Sequence, residues 1–98
     1  MYGSPVGNIT ITQSTQIVPV GYHARLFGIN FLTSGTGSTV NFYDNGPTGT
    51  LVVSEKGTDP PFTENYGING IEFTNGIYVA FDAKTLRATV VYRQEEKN

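Results

Sequence analysis

The stretch that most constrains the fold of this chain is GIEFTNGIYVAFD, from Gly70 to Asp82. Apolar residues alternate with polar or small ones on both sides of Asn75-Gly76, a period of two that is typical of β-strands. Because Asn followed by Gly tolerates the positive φ angles of a type I′ turn, the stretch predicts a two-residue β-hairpin. Its predicted core face carries Ile71, Phe73, Ile77, Val79 and Phe81. Its opposite face carries Glu72, Thr74, Tyr78 and Ala80.

The rest of the chain repeats short alternating runs separated by turn residues. The longest run, residues 23–33, is apolar on both faces, which predicts a central strand whose second face is covered by another sheet or subunit. Gly28 in its middle predicts a bulge or a close backbone approach. Residues 8–12 and 16–20 together resemble one edge strand. Further strands are predicted at 39–43, at 50–54 after a turn, and at 85–93 with Leu86, Ala88, Val90 and Tyr92 on one face.

These runs predict a single all-β domain over residues 8–93. No segment repeats apolar residues at helical spacing for long enough to form a helix. Seven to eight strands with regularly spaced turns favour an antiparallel β-sandwich that is jelly-roll-like. Residues 1–7 are expected to form an N-terminal arm, residues 55–67 the longest irregular connection, and residues 94–98 a charged, solvated tail.

The composition favours a surface that packs against other proteins. Only 14% of the 98 residues are charged, compared with ~25% in an ordinary domain. A net charge of −2 without a Lys/Arg cluster argues against nucleic acid as a partner. A small domain without cysteines depends on packing or oligomerisation for stability, so a homo-oligomer is expected. No export signal and no apolar run near the ~20 residues of a bilayer span is present, which predicts a soluble chain without a membrane partner.

Residues that could carry chemistry have simpler structural interpretations. The single histidine, His23, has no cysteine, second histidine or carboxylate near it in sequence, so an interface or structural role is favoured over a general base or metal ligand. Asp44 begins a turn that lacks the full ligand spacing of a calcium loop, so a turn is the favoured interpretation. The scattered carboxylates and the small size of the chain argue against an enzyme. No catalytic residue, cofactor or metal ion is predicted.

A sugar-binding platform remains an alternative use of the aromatic residues. The tyrosines that would form it are Tyr43, Tyr66, Tyr78 and Tyr92. Aromatic side chains on strands are more often part of a core or of a subunit interface, which is the preferred interpretation.

Three segments, in this order, resemble small, cysteine-free, all-β virion proteins of tailed bacteriophages. They are ARLFGINF at 24–31, STVNFYDNGPTGTLV at 38–52, and GIEFTNGIYVAFD followed by ATVVY between Gly70 and Tyr92. Such proteins are similar to capsid decoration or cement proteins, which bind the outer head surface as trimers or other oligomers and carry no catalytic residues. The resemblance implies a protein made in the host cytoplasm that forms a homo-oligomer, with a trimer favoured, binds the major capsid protein or other virion proteins and stabilises the head.

Two alternatives to a capsid decoration protein stay open, a tail or neck component of the virion and a surface carbohydrate-binding module. Apolar and aromatic residues in irregular segments of a low-charge protein are the best candidates for partner contacts. Those predicted are Tyr2, Pro5 and Val6 of the arm and Pro60, Pro61, Phe62 and Tyr66 of the long connection, with His23 and Arg25 of the predicted central strand added to them.

Overall fold

The computed structural model describes residues 7–33, 38–56, 62–83 and 85–98. Within these residues the chain forms nine β-strands and no helix, so the all-β prediction is confirmed and the expected number of strands is exceeded by at least one. The strands are β1 (Gly7–Ile11), β2 (Thr15–Val18), β3 (Tyr22–Thr33), β4 (Thr39–Asp44), β5 (Thr50–Lys56), β6 (Phe62–Asn65), β7 (Ile71–Phe73), β8 (Ile77–Phe81) and β9 (Thr85–Lys97).

The strands form two antiparallel sheets that pack face to face, which confirms the predicted β-sandwich. The five-stranded sheet has the order β1-β9-β3-β6, with β7 also paired to β3. The four-stranded sheet has the order β2-β8-β4-β5. Residues 8–12 and 16–20, expected to act as one edge strand, instead give β1 and β2, which lie at the edges of different sheets.

The core lies between the sheets and takes its largest side chains from both. Phe31, Leu26 and Phe73 come from the five-stranded sheet, and Phe42 and Ile77 from the four-stranded sheet, and all five are fully buried. The predicted inward positions of β4 and β8 are therefore confirmed, since Val40 and Val79 are also fully buried. Leu86, predicted to share a face with Ala88 and Val90, is half exposed whereas those two are buried, because the register between β3 and β9 shifts where β9 begins.

A bulge in β3 explains why this strand is apolar on both faces in sequence. The register between β3 and β9 shifts between Leu26 and Gly28, which confirms the bulge predicted at Gly28. Before the bulge Ala24 and Leu26 point into the core, and after it Ile29 and Phe31 do. The extra residue thus turns the apolar side chains before it and those after it toward the same side of the sheet, although a regular strand would place them on opposite faces. The apolar pattern of β3 therefore does not by itself require a subunit to cover the strand.

The predicted hairpin at residues 70–82 is wrong, because β7 and β8 belong to different sheets. Asp44, at the end of β4, accepts hydrogen bonds from the backbone N–H groups of Thr74 (3.0 Å) and Asn75 (2.7 Å) and from the Thr74 hydroxyl. The carbonyl oxygen of Asn75 accepts from the N–H of Asn45, and the N–H of Gly76 donates to Tyr22. These bonds to other segments direct the chain across the sandwich. Among the described non-glycine residues only Asn45 has a positive φ, so Asn75 does not adopt a type I′ turn.

The tail predicted at residues 94–98 is also wrong, since β9 continues to Lys97. Glu95 is buried, and its carboxylate lies 2.8 Å from Arg93 Nη2 and 3.4 Å from Arg25 Nε. The two guanidinium groups make burial of the carboxylate tolerable. Asn98 then donates its backbone N–H to the carbonyl oxygen of Gly21. The end of the chain is therefore part of the sheet.

Two other predicted boundaries change. Gly7, assigned to the N-terminal arm, is the first residue of β1 and pairs with Tyr92, while residues 1–6 lie outside the described part of the chain. The connection predicted at 55–67 contains the end of β5 and all of β6, which pairs with β3 from Phe31↔Phe62 to Gly28↔Asn65. A strand of four residues at a sheet edge has too little alternation to be recognised from sequence.

The bonds at Asp44 predict a large effect on stability of one substitution at the end of β4. Asp44→Ala leaves the N–H of the partly buried Asn75 without its acceptor, so the free energy of unfolding should fall by about 2 kcal/mol in urea denaturation. Asp44→Asn, which retains one carbonyl oxygen, should lose less. Glu96→Ala removes an exposed carboxylate from β9 and serves as the control. Equal stability of the Asp44→Ala and Glu96→Ala variants would contradict the capping role.

Candidate binding surfaces

A groove of about 360 Å³ lies on the five-stranded sheet beside the β3 bulge. We call it the β3 groove, and it is lined by Phe27, Gly28, Ile29, Asn30, Thr63, Glu64, Asn65, Gly67, Ile68, Thr89 and Val91. Gly28 contributes no side chain to it, and a Cβ there would lie 3.1 Å from the carbonyl oxygen of Glu64. The bulge therefore leaves a depression between the Phe27 ring and the segment that follows β6. Most of the lining is apolar, with amide and hydroxyl groups among it.

Ile68 is the most exposed large apolar residue in the described part of the chain, with 94% of its surface accessible. It follows Gly67, whose φ of 88° turns the chain after β6. The N–H of Gly67 donates to the Asn65 side chain at 2.8 Å, and the N–H of Tyr66 donates to the carbonyl oxygen of Phe27 at 2.9 Å. This turn is therefore tied down by hydrogen bonds while its isoleucine is presented to solvent at the groove.

Tyr66 fixes the same turn from the inside of the sandwich. Its ring packs against the core, and its hydroxyl donates a 2.6 Å hydrogen bond to Glu55 Oε2 on β5. Burial, this hydrogen bond and the negative charges of Glu55 and Glu64 raise the pKa of the Tyr66 hydroxyl well above its usual range. The bond links β5 and β6, the edge strands of opposite sheets, beside the β3 groove.

Charged groups lie on one side of the groove. The Arg93 guanidinium lies 5.3 Å from the centre of the Phe27 ring and makes hydrogen bonds of 3.1 Å and 2.8 Å to Glu95. Arg25, paired with Arg93 in the strand register, also contacts Glu95 and donates to the carbonyl oxygen of Asn69 at 3.1 Å. The side chains of Arg25 and Arg93 retain 28% and 32% exposure. The Phe27 ring, which lines the groove, is thus held by a cation–π contact with Arg93, and Arg93 is itself paired with Glu95.

The outward face of the four-stranded sheet carries a second set of exposed side chains. Gln16, Tyr78, Tyr43 and Leu51 are register partners on β2, β8, β4 and β5 and form one row across the sheet, which we call the large row. Ala80, Asn41 and Ser54 are partners in the next row, which we call the small row. The hydroxyl of Ser54 donates to Asn41 Oδ1 at 2.6 Å, so these two side chains share a face. None of the seven residues is charged.

Most of the residues predicted to contact a partner lie outside the described part of the chain. These are Tyr2, Pro5, Val6, Pro60 and Pro61. Phe62 begins β6, where its backbone pairs with Phe31 of β3. The partner contacts proposed for these five residues and for Phe62 stay predictions.

The structure separates the other three predicted contact residues. Arg25 lies next to the β3 groove on the outward face, where it contacts Glu95, and its predicted partner contact stays a prediction. Tyr66 is used within the protein, between the sheets. His23 is partly buried at a second irregularity of β3, where the register with β9 shifts between Tyr22 and Ala24.

The structure divides the four tyrosines of the predicted sugar platform into two pairs. Tyr66 and Tyr92 pack against the core, whereas Tyr43 and Tyr78 are adjacent on the outward face. Sequence analysis also missed Phe27 and Ile68 as surface residues. In sequence Phe27 shares a strand face with Ile29 and Phe31, which the bulge alters, and the only signal for Ile68 is its position between Gly67 and Asn69 in a turn.

Comparison with known proteins adds no identification. No protein-family model, curated protein or solved structure matches the chain. In the described residues, no group of three or more histidines, cysteines and carboxylates is arranged to hold a metal ion, and no helix is long and apolar enough to cross a membrane.

The raised pKa of Tyr66 predicts a specific dependence of stability on pH. In the unfolded chain a tyrosine loses its proton near pH ~10, whereas in the folded chain Tyr66 keeps it to higher pH. The stabilisation is therefore complete below pH ~10 and is lost as pH rises above it. Tyr66→Phe should be less stable than wild type at pH 8, by about 1 kcal/mol, and the difference should shrink above pH ~10 in urea denaturation.

Tyr92→Phe provides the matched control for this measurement, because Tyr92 also packs against the core but makes no hydrogen bond through its hydroxyl to any described residue. It should keep the wild-type loss of stability above pH ~10, since it retains Tyr66. A difference between wild type and Tyr66→Phe that stays constant from pH 8 to pH 11 would contradict the assignment.

Proposed function

We propose that this chain is a non-enzymatic structural protein that acts by binding another protein through the β3 groove. The observation that carries the proposal is that the Ile68 side chain is almost fully exposed to solvent beside an apolar depression. Full burial of an isoleucine gains about 2 kcal/mol, and the hydrogen-bonded turn after β6 fixes its position before binding. A rigid apolar anchor at a groove with amide and hydroxyl groups is typical of a protein interface.

The occupant that we propose is an extended apolar segment of a virion protein, most simply the major capsid protein of a tailed phage. The support for a phage partner is the resemblance of residues 24–31, 38–52 and 70–92 to small virion proteins. These segments form β3, the β4–β5 hairpin and β7 to β9, which together build most of both sheets. The protein would then decorate and stabilise the head; a tail or neck protein is the alternative.

The jelly-roll assignment belongs to the same proposal, and the strand order supports it. The chain crosses between the sheets from β1 to β2, β2 to β3, β3 to β4, β5 to β6, β7 to β8 and β8 to β9. Only β4 and β5 are joined as a hairpin within one sheet. Crossings of this kind between two four- or five-stranded sheets are what double Greek-key sandwiches use.

The test uses heads from a phage that encodes the chain but has had its gene deleted, with purified protein added back. Wild type should bind saturably in co-sedimentation and raise the temperature at which heads release DNA. Ile68→Asp should weaken binding at least tenfold, because a carboxylate replaces the buried anchor. Its stability should match wild type, since Ile68 is 94% exposed.

Leu86→Asp is the matched control, because it places the same charge at an exposed apolar position outside the groove. It should bind like wild type. Binding to purified tails alone would favour the tail or neck alternative over the head. Equal binding by the Ile68→Asp and Leu86→Asp variants would remove the β3 groove as the docking site.

A further inference from the structure

We propose that the outward face of the four-stranded sheet is a self-association surface, on which a second copy of the chain packs about a two-fold axis. The proposal rests on the arrangement of the large row and the small row, which lie side by side on this face. It does not depend on what binds the β3 groove on the other sheet.

The two rows make a stepped surface. Tyr78, Tyr43 and Leu51 of the large row lie beside Ala80, Asn41 and Ser54 of the small row, strand by strand. On β8 and β4 the two rows are two residues, about 7 Å, apart. On β5, Leu51 and Ser54 are three residues apart, because the register with β4 shifts between them. One step therefore separates bulky from small side chains across the three strands. Leu51 is 50% exposed, and both tyrosines are partly exposed.

A stepped surface is complementary to itself under one symmetry operation. A two-fold axis that runs parallel to the rows and between them places the large row of each copy over the small row of the other. Tyr78 then faces Ala80 of the second copy, and Tyr43 faces Asn41. Bulky side chains of each copy then pack on small side chains of the other. This pairing lets the two sheets approach to the spacing of about 10 Å that packed sheets have.

The polar groups of the face suit the same arrangement. Asn41 Oδ1 accepts from Ser54, whereas Asn41 Nδ2 and the hydroxyls of Tyr43 and Tyr78 have no hydrogen-bond partner among the described residues. With Tyr43 of one copy over Asn41 of the other, the amide can donate to the phenol oxygen. Because the two rows contain no charged residue, no like charges meet across the axis.

The size of the face sets the expected strength. Four strands spaced about 4.8 Å apart and two rows spaced about 7 Å apart give a face of roughly 19 Å by 14 Å, about 270 Å², which is well below the roughly 800 Å² per partner of a standard interface. The association should therefore be weak and should appear only at high protein concentration. A glycan on the two tyrosines, or a different protein, is the competing occupant.

Light scattering across a dilution series of the purified chain tests the proposal. The mass of wild type should rise from that of one chain toward that of two as concentration increases. Tyr78→Asp and Ala80→Lys should each remain single chains at all concentrations, because each places an unpaired charge in the contact. Leu86→Lys, which places a charge on the other sheet, should associate like wild type.

An equimolar mixture of the Tyr78→Asp and Ala80→Lys variants gives the decisive result. In the mixed pair the aspartate introduced at position 78 of one copy faces the lysine introduced at position 80 of the other. The second contact, between Tyr78 and Ala80, stays native, so two-chain species should return. Circular dichroism of each variant establishes that it is folded.

Three results would overturn the proposal: a wild-type chain that stays single at millimolar concentration, a trimer unaffected by either variant, and a mixture that does not associate. In the first case, a shift in tyrosine fluorescence on adding neutral oligosaccharides, lost in Tyr78→Ala, would assign the face to a glycan instead.

Discussion

The antiparallel pairing of β3 with β9 is the interaction on which the rest of the structure depends. The two longest strands, Tyr22–Thr33 and Thr85–Lys97, pair along nearly their whole length. Every other strand of the five-stranded sheet attaches to one of them, β1 to β9 and both β6 and β7 to β3. These contacts are far apart in sequence, so their loop-closure entropy must be offset by the core that they create.

Irregularities in this pairing position the surface features. The bulge at Phe27–Gly28 turns two apolar sets of β3 into one core and leaves Phe27 on the outside, where Arg93 covers its ring. The same bulge produces the depression of the β3 groove. A second irregularity near His23 lies where Glu95 is buried between Arg25 and Arg93. A regular ladder would have kept Phe27 on the same face as Ile29 and Phe31, and the groove beside Gly28 would not form.

The sequence predicts strands well and their partners poorly. Alternation at Val40, Phe42, Ile77 and Val79 identifies the core face correctly, because β4 and β8 pair without a register shift and so keep their period of two. The Asn75-Gly76 pair misleads, because its backbone groups bond to the Asp44–Asn45 turn, far away in the chain. Likewise, nothing local in QEEKN shows that Arg25 will neutralise Glu95. Sheet membership and the buried end of β9 are set by contacts that sequence patterns do not contain.

The candidate sites likewise depend on contacts between distant segments that sequence patterns do not contain. Arg25 lies beside the groove, whereas Tyr66, which the sequence places in the long connection, joins β5 to the segment that follows β6. Composition explains why both outward faces suit a partner. With 14% charged residues, several of them paired with one another near Glu95, few charges remain to cover the sheets. The five-stranded sheet offers a depression with one projecting isoleucine, where we propose an unlike partner, while the four-stranded sheet offers a step, where we propose a second copy of the chain.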